Sequence, residues 1–377
     1  MKNSEHLDNA LDQSKSRLNI FFGPEIRTLQ SHGGISRYFA ELIKGASAVN
    51  KTTYAFVSPN KNHNIALIPE ICKIQITQTK SSDLIKTAKK EIGKFSHESI
   101  YHPTYYANTD FRSWKEAGFK IVITVFDLIS EKFPEKKKLS RPRNNLKKKA
   151  IKSADHIIRI SNTTKSDLMD YYKIPDAKIS VVYLCSELRG SGGILKNDYV
   201  IDDFLLYVGK RAGYKNFNKF ITAFGQSDSL KSKYRIVAFG GGLFDQGELE
   251  LIRNLGIENR ISQVEGNDDK LIKLYSSAAA FVYPSLYEGF GLPPLEAMKY
   301  GCPVLASDKG SIAEICNEGA IYFDATNVDN MQMIMEKSLK DLALIEKQKQ
   351  LGTLNAARYT WEKTCAETLN VYRKLLR

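Results

Sequence analysis

The chain has 377 residues, enough for two domains of roughly 150–200 residues each. Its 42% hydrophobic and 26% charged residues are ordinary for a globular protein, and no apolar run approaches the ~18 residues of a membrane-spanning helix. The formal net charge is +13, and all the excess lies in residues 1–190, which hold 32 Lys+Arg against 19 Asp+Glu; residues 191–377 hold 23 of each. Five cysteines, odd in number, scattered and without a CxxC pair, argue against a disulfide framework or a structural zinc site and suit reduced thiols in the cytoplasm.

Residues 1–16 are polar, lack the apolar segment of a signal peptide and read as a loose tail. Short runs rich in Val, Ile, Phe and Tyr then recur at helix-length intervals. In the first half these are Leu18–Phe22, Tyr54–Ser58, Ile71–Ile76, Ile100–His102, Lys120–Phe126, His156–Ile160 and Ile179–Leu184. In the second they are Phe204–Gly209, Tyr234–Gly240, Ile261–Val264, Ala279–Tyr283, Pro303–Ser307 and Ala320–Phe323. Continuously apolar strands alternating with helices predict parallel sheets covered on both faces, and two such series predict two doubly wound α/β domains. The expected division is a first domain over 17–190, a flexible join in "ELRGSGGILKND" and a second domain over 199–360. A last helix over 361–377 has Trp361, Cys365, Leu369 and Tyr372 at helical spacing.

In such folds, ligands bind at the loops that follow the strands, and three of these loops carry chemistry. "SHGGISRYFAELI" brings Gly33-Gly34 to the start of a helix, where the backbone can approach a phosphate; an ordinary tight turn is the plain alternative. "YVGKRAGYKNFNKF" sets Lys210, Arg211 and Lys215 beside glycines, where cations can neutralise a departing diphosphate. "YEGFGLPPLEAMKYG" holds Glu288 in a loop and Glu296 in the first turn of a helix beginning near Pro293–Pro294 and stopped by Gly301. The Gly289-Phe290-Gly291 turn between the acids offers backbone N–H groups to an anion. Two glutamates flanking such a site repel an anion but accept hydrogen bonds from hydroxyls at its two ends. A nucleoside diphosphate sugar has that layout. A helix-capping Glu296 and a solvated Glu288 are the plain alternative.

No GxGxxG, GxxxxGK[ST] or Asp-x-Asp occurs. A dinucleotide cofactor therefore lacks its fingerprint, and a divalent metal lacks the acid pair that metal-dependent sugar transfer commonly uses. The basic stretch "EKKKLSRPRNNLKKKAIK", Glu135–Lys152, points to an anionic partner such as a membrane surface, or to a solvated helix face; it lacks the interleaved aromatics of a nucleic-acid site.

The segment Pro284–Ile315, "PSLYEGFGLPPLEAMKYGCPVLASDKGSIAEI", resembles the Glu-x7-Glu region of family 4 retaining glycosyltransferases. "YVGKRAGYKNF", "GGISRYFAEL" and Ala154–Tyr183 are similar to other parts of that family, so the likeness covers most of residues 18–377. It implies the GT-B architecture, two Rossmann-like domains facing a cleft, with the last helix commonly crossing back to the first domain. It implies Glu288 on the transferred sugar, Glu296 on the ribose, and Arg211 with Lys215 on the diphosphate. The backbone of Phe290, Gly291, Leu292 and Gly34 would assist, with Asn267 and Leu271 near the base. Many members carry His-Asp where this chain has Phe126-Asp127, so Asp127 or His102 is the candidate to serve the acceptor instead, with a plain structural role the alternative for each. The "GGISRY" and "YKNF" variants resemble transferases of bacterial surface-polysaccharide assembly. The expectation is metal-independent transfer, of mannose from a GDP-sugar in the first instance, to a lipid-linked glycan at the inner membrane face, with UDP- or dTDP-sugars open. A sugar-nucleotide epimerase and an inactive binding subunit are the rival readings.

Overall fold

The computed structural model describes residues 18–26, 34–57, 67–92, 99–133, 140–185, 188, 203–211 and 213–377. The expected tail, Gly33, Lys136–Lys138 and the Gly-Ser-Gly-Gly join lie outside these residues. The first sheet has seven strands: β1 (Asn19–Phe22), β2 (Thr53–Val57), β3 (Lys73–Gln75), β4 (Ser99–His102), β5 (Phe119–Val125), β6 (His156–Arg159) and β7 (Ile179–Val181). The second has six: β8 (Phe204–Val208), β9 (Arg235–Phe239), β10 (Ile261–Val264), β11 (Ala280–Tyr283), β12 (Val304–Ser307) and β13 (Ala320–Phe323). Every apolar run picked out from the sequence overlaps one of these strands. Both sheets are parallel, in the orders β3-β2-β1-β4-β5-β6-β7 and β10-β9-β8-β11-β12-β13.

Strands β1, β4, β11 and β12 are buried along their whole length. That follows from helices on both faces, and it explains why these strands read as unbroken apolar runs rather than alternating ones. In each sheet the strand order reverses at the first strand, between β1 and β4 and again between β8 and β11. A crevice opens at the carboxyl end of a doubly wound sheet at such a point. The loops that meet there follow β1 and β4 in one domain, and β8 and β11 in the other.

The last helix, Trp361–Leu376, leaves the second domain and packs on the helix Gly34–Val49 of the first. Its contact is close: a Cβ on Gly45 would come within 2.4 Å of Cys365 Sγ. Cys365, Leu369 and Tyr372 are buried, as their spacing requires. All five cysteines are buried, and none forms a disulfide. No helix among the described residues is long and apolar enough to cross a membrane.

One expectation about the basic surface needs correction. Lys147 does not lie on a solvated face. It is 5% exposed, and its Nζ donates to the Asp127 carbonyl at 2.7 Å and to Glu131 Oε2 at 2.9 Å. The helix Ser140–Ser153 turns this position inward, leaving Lys148 and Lys149 outside.

Candidate active site

The loop after β11 forms the centre of the crevice. Gly291, at φ 117°, precedes the helix Leu292–Lys299, and no side chain caps that helix. An L side chain is strained at such a φ, so glycine suits the turn. The helix begins one residue earlier than expected, so both prolines lie in its first turn. The N–H groups missing there have no partner within a helix in any case. Glu296 is consequently the fifth helical residue, one full turn in, rather than in the first turn. Its carboxylate accepts from Tyr275 Oη at 3.3 Å. Tyr275 belongs to the helix Asp268–Ser277, whose start Asn267 caps with its side chain and whose buried face includes Leu271. These residues thus stand on one side of the crevice with Glu296.

Glu288 stands on the other side of the turn. It is 7% exposed, and Lys215 Nζ, from the loop after β8, donates to its Oε1 at 2.6 Å. Tyr283, the last residue of β11, also hydrogen-bonds Glu288; burial first, then that carboxylate, pushes the phenol well above its ordinary value. Ser311 Oγ donates to the carbonyls of Glu288 and Phe290 at 2.8 and 2.9 Å, fixing the loop from beneath. The acids are separated by the turn, as their placement in the sequence suggested.

Arg211 is occupied differently from what its position in the loop suggested. Its Nε donates to Glu248 Oε1 at 2.9 Å, and Nη1 and Nη2 donate to the carbonyls of Gly240, Gly242 and Leu243 at 2.7–2.9 Å. Four of its five donors are therefore spent inside the domain, and it is 6% exposed. Arg211 ties the loop after β9 to the helix Gln246–Asn254; Lys215, not Arg211, faces Glu288. Lys210 is exposed.

From the first domain, Gly34 opens its helix with free space around its Cα. Arg37 in the same helix reaches across to Asp268 at 3.7 Å. The loop after β5 touches the glutamate loop directly. A Cβ on Gly289 would come within 2.0 Å of the Phe126 carbonyl oxygen and 3.0 Å of Asp127 Cβ, so only glycine fits there. Ser161 Oγ donates to the Gly289 carbonyl at 2.9 Å. Asp127 is part-exposed in this seam, its Oδ1 accepting from Ile129 N at 3.1 Å.

His102 does not serve the crevice. It is fully buried, with Nδ1 2.6 Å from Tyr372 Oη and Nε2 3.0 Å from Thr124 Oγ1. Burial pushes its imidazole down to about 3, so it is neutral at physiological pH. Its position at the end of β4 suggested the crevice, but the side chain points into the core between Phe22 and Phe39 and bonds the last helix.

Sequence reasoning passed over Glu314. Its carboxylate accepts from the backbone N–H groups of Asn162 and Thr163 at 2.7 and 2.9 Å, and from Thr163 Oγ1 and Tyr183 Oη. A carboxylate of the second domain thus caps the helix Asn162–Tyr172 of the first, where the helix dipole favours negative charge. No local pattern marks a cap whose partner lies 152 residues away. Among the described residues no cluster of three or more His, Cys, Asp or Glu side chains could hold a metal ion.

Two family descriptions match the chain, one in each half: "Glycosyltransferase Family 4" over residues 32–185 and "Glycosyl transferases group 1" over 196–357. The O-antigen chain mannosyltransferase B of Escherichia coli is 28% identical over 237 residues, 60% of this chain and 62% of that protein. The O-antigen chain mannosyltransferase RfbU of Salmonella typhimurium is 30% identical over 190 residues, 50% of this chain and 52% of that protein. The chain thus spans about half to three-fifths of these curated relatives. Among solved structures, Anabaena HepE in complex with UDP and glucose superposes with a TM-score of 0.71 at 16% identity, covering 95% of this chain and 99% of HepE. The two parallel sheets, the crevice between them and the two family matches agree: the chain has the GT-B fold and belongs to the group 1, family 4 glycosyltransferases.

Proposed function

We propose that the chain moves a sugar from a nucleoside diphosphate sugar to a lipid-linked glycan acceptor, with retention of anomeric configuration and without a metal ion. One observation carries this reading. Lys215 and Glu288 form a pair beside the uncapped start of Leu292–Lys299, and Glu296 stands one turn further in. The amides of Phe290, Gly291 and Leu292 and the helix N-terminus suit the diphosphate. Glu296 suits the ribose, and Glu288 the hydroxyls of the transferred sugar. Cleavage of the bond between the anomeric carbon and the phosphate oxygen leaves positive charge on the sugar and negative charge on the diphosphate. Lys215 and the loop amides stabilise the growing negative charge, which lowers the barrier because it is largest in the transition state. Asp127, in the seam facing this loop, suits an acceptor hydroxyl. HepE's complex with UDP supports a nucleotide-sugar donor, and the names of the relatives favour mannose, first from a GDP-sugar, and a surface glycan as product. The basic excess of residues 1–190 supports docking at an anionic membrane surface from the cytoplasmic side.

The test is a thermal-shift panel of nucleotide sugars followed by product analysis in excess EDTA. The reading predicts stabilisation by one donor and its nucleoside diphosphate, and transfer that survives EDTA when a membrane extract supplies the acceptor. No stabilisation by any donor, or transfer restored only by magnesium or manganese, contradicts it. Conversion of the donor without an acceptor points instead to an epimerase.

A further inference from the structure

Arg159 is the last residue of β6, at the carboxyl end of the first sheet, and it is fully buried. Among the described residues, none of its three guanidinium nitrogens has a hydrogen-bond partner. Burial lowers its pKa only to about 10, so the side chain is charged at physiological pH. Leaving a buried polar group unpaired costs on the order of 1–3 kcal/mol, and more for a charged one. No hydrogen bond among the described residues offsets that cost.

Its charged and phenolic neighbours include Tyr106, Tyr287, Asp127, Asp167 and Tyr172. Tyr287 comes from the glutamate loop of the second domain, so Arg159 lies at the seam between domains. Neither carboxylate bonds it. Asp167 accepts from Tyr287 Oη at 2.6 Å and pairs with Lys132 at 2.5 Å. Asp127 Oδ1 accepts from Ile129 N and faces Lys147 at 4.0 Å. The guanidinium therefore has negative charge nearby to offset part of its own, but all of its hydrogen-bonding fork is unspent. Arg211, by contrast, is also buried and has four donors satisfied.

A planar fork of unspent N–H donors matches an oxyanion with two oxygens. The geometry points to Arg159 as an oxyanion subsite for the acceptor, holding a phosphate of the acceptor beside Asp127 once the domains part and Tyr287 leaves. This assignment rests on the proposed transfer reaction, in which the first domain receives the acceptor. It also makes the subsite separate from the donor's diphosphate site at Lys215, which belongs to the other domain.

The experiment titrates inorganic phosphate, and acetate in a parallel arm, into the wild type, Lys215→Ala, Arg159→Lys, and the Lys215→Ala/Arg159→Lys double variant, reading the melting temperature. Lys215→Ala removes the donor-site contribution; Arg159→Lys keeps the buried charge but loses the fork. Phosphate is expected still to stabilise Lys215→Ala, with a midpoint about tenfold weaker in the double variant, the loss of one or two charge-assisted bonds. A larger response to phosphate supports the phosphate assignment, and a larger response to acetate overturns it in favour of a carboxylate. No stabilisation of Lys215→Ala, or equal midpoints with and without Arg159, overturns the subsite altogether. The nucleotide-sugar panel, run on Arg159→Lys, separates this failure from failure of the transfer reading. Loss of the subsite leaves donor stabilisation intact, whereas a wrong donor assignment abolishes it in the wild type as well.

Discussion

Lys215 Nζ lies 2.6 Å from Glu288 Oε1, joining the loops that follow β8 and β11. Those strands flank the reversal of the second sheet, so the pair sits where a doubly wound domain opens its crevice. In the proposed reaction each partner has a role toward a different part of the donor: phosphate would compete for the lysine and sugar hydroxyls for the carboxylate, exchanging one internal ion pair for two contacts with the ligand.

The Arg211–Glu248 pair has a different consequence. Both side chains are under 10% exposed, and the arginine binds three carbonyls besides. Breaking a buried pair leaves an uncompensated charge, which costs about 3–5 kcal/mol. Glu248→Ala is expected to lose stability in this range in urea denaturation. Its effect on donor binding should be indirect, through the Gly240–Leu243 loop. A variant as stable as the wild type contradicts the tethering role.

His102 gives a pH signature. Its folded pKa, about 3, lies below the ordinary 6.5, so between these values the unfolded chain binds the extra proton. Stability from this group is fully present above pH ~6.5 and is lost as the pH falls toward 3. The wild type is expected to lose stability faster than His102→Gln between pH 6.5 and 4, by up to about 1.4 kcal/mol per pH unit. Parallel pH profiles of denaturation midpoint rule this out.

Glu314 connects the two domains at a helix start. Glu314→Ala removes the cap from Asn162 and Thr163, a loss of about 1–2 kcal/mol. Small-angle scattering is expected to show a larger radius of gyration for the variant, because a charged tie across the domain seam is then lost. An unchanged radius speaks against a clamp.

The strands were legible because burial on both faces writes them as unbroken apolar runs, and punctuation by Gly and Pro separates them. The split of Glu288 from Glu296 was legible from the turn and prolines between them. What the sequence hides is commitment. Lys215 and Arg211 look alike in one loop, yet one faces a loop carboxylate and the other is spent on Glu248, 37 positions away. His102 ends a strand as a site residue would, but its fate depends on Tyr372, 270 positions away. Lys147 looks like its lysine neighbours until the helix turns it toward Glu131. Charge and local pattern mark where chemistry is possible; long-range hydrogen bonds decide which group is free to do it.

The central claim is that Glu288 acts on the reacting sugar, Lys215 on the leaving diphosphate and Glu296 on the ribose. Steady-state kinetics of Glu288→Gln, Lys215→Ala and Glu296→Gln with the donor found in the thermal-shift panel test it most directly, with circular dichroism to confirm folding. Glu288→Gln and Lys215→Ala are expected to lower kcat by about 100-fold or more, since each removes an interaction that matters most as the bond breaks. Glu296→Gln is expected chiefly to raise the donor KM, because ribose binding is shared by ground and transition states. A folded Glu288→Gln enzyme with near wild-type kcat would contradict the account.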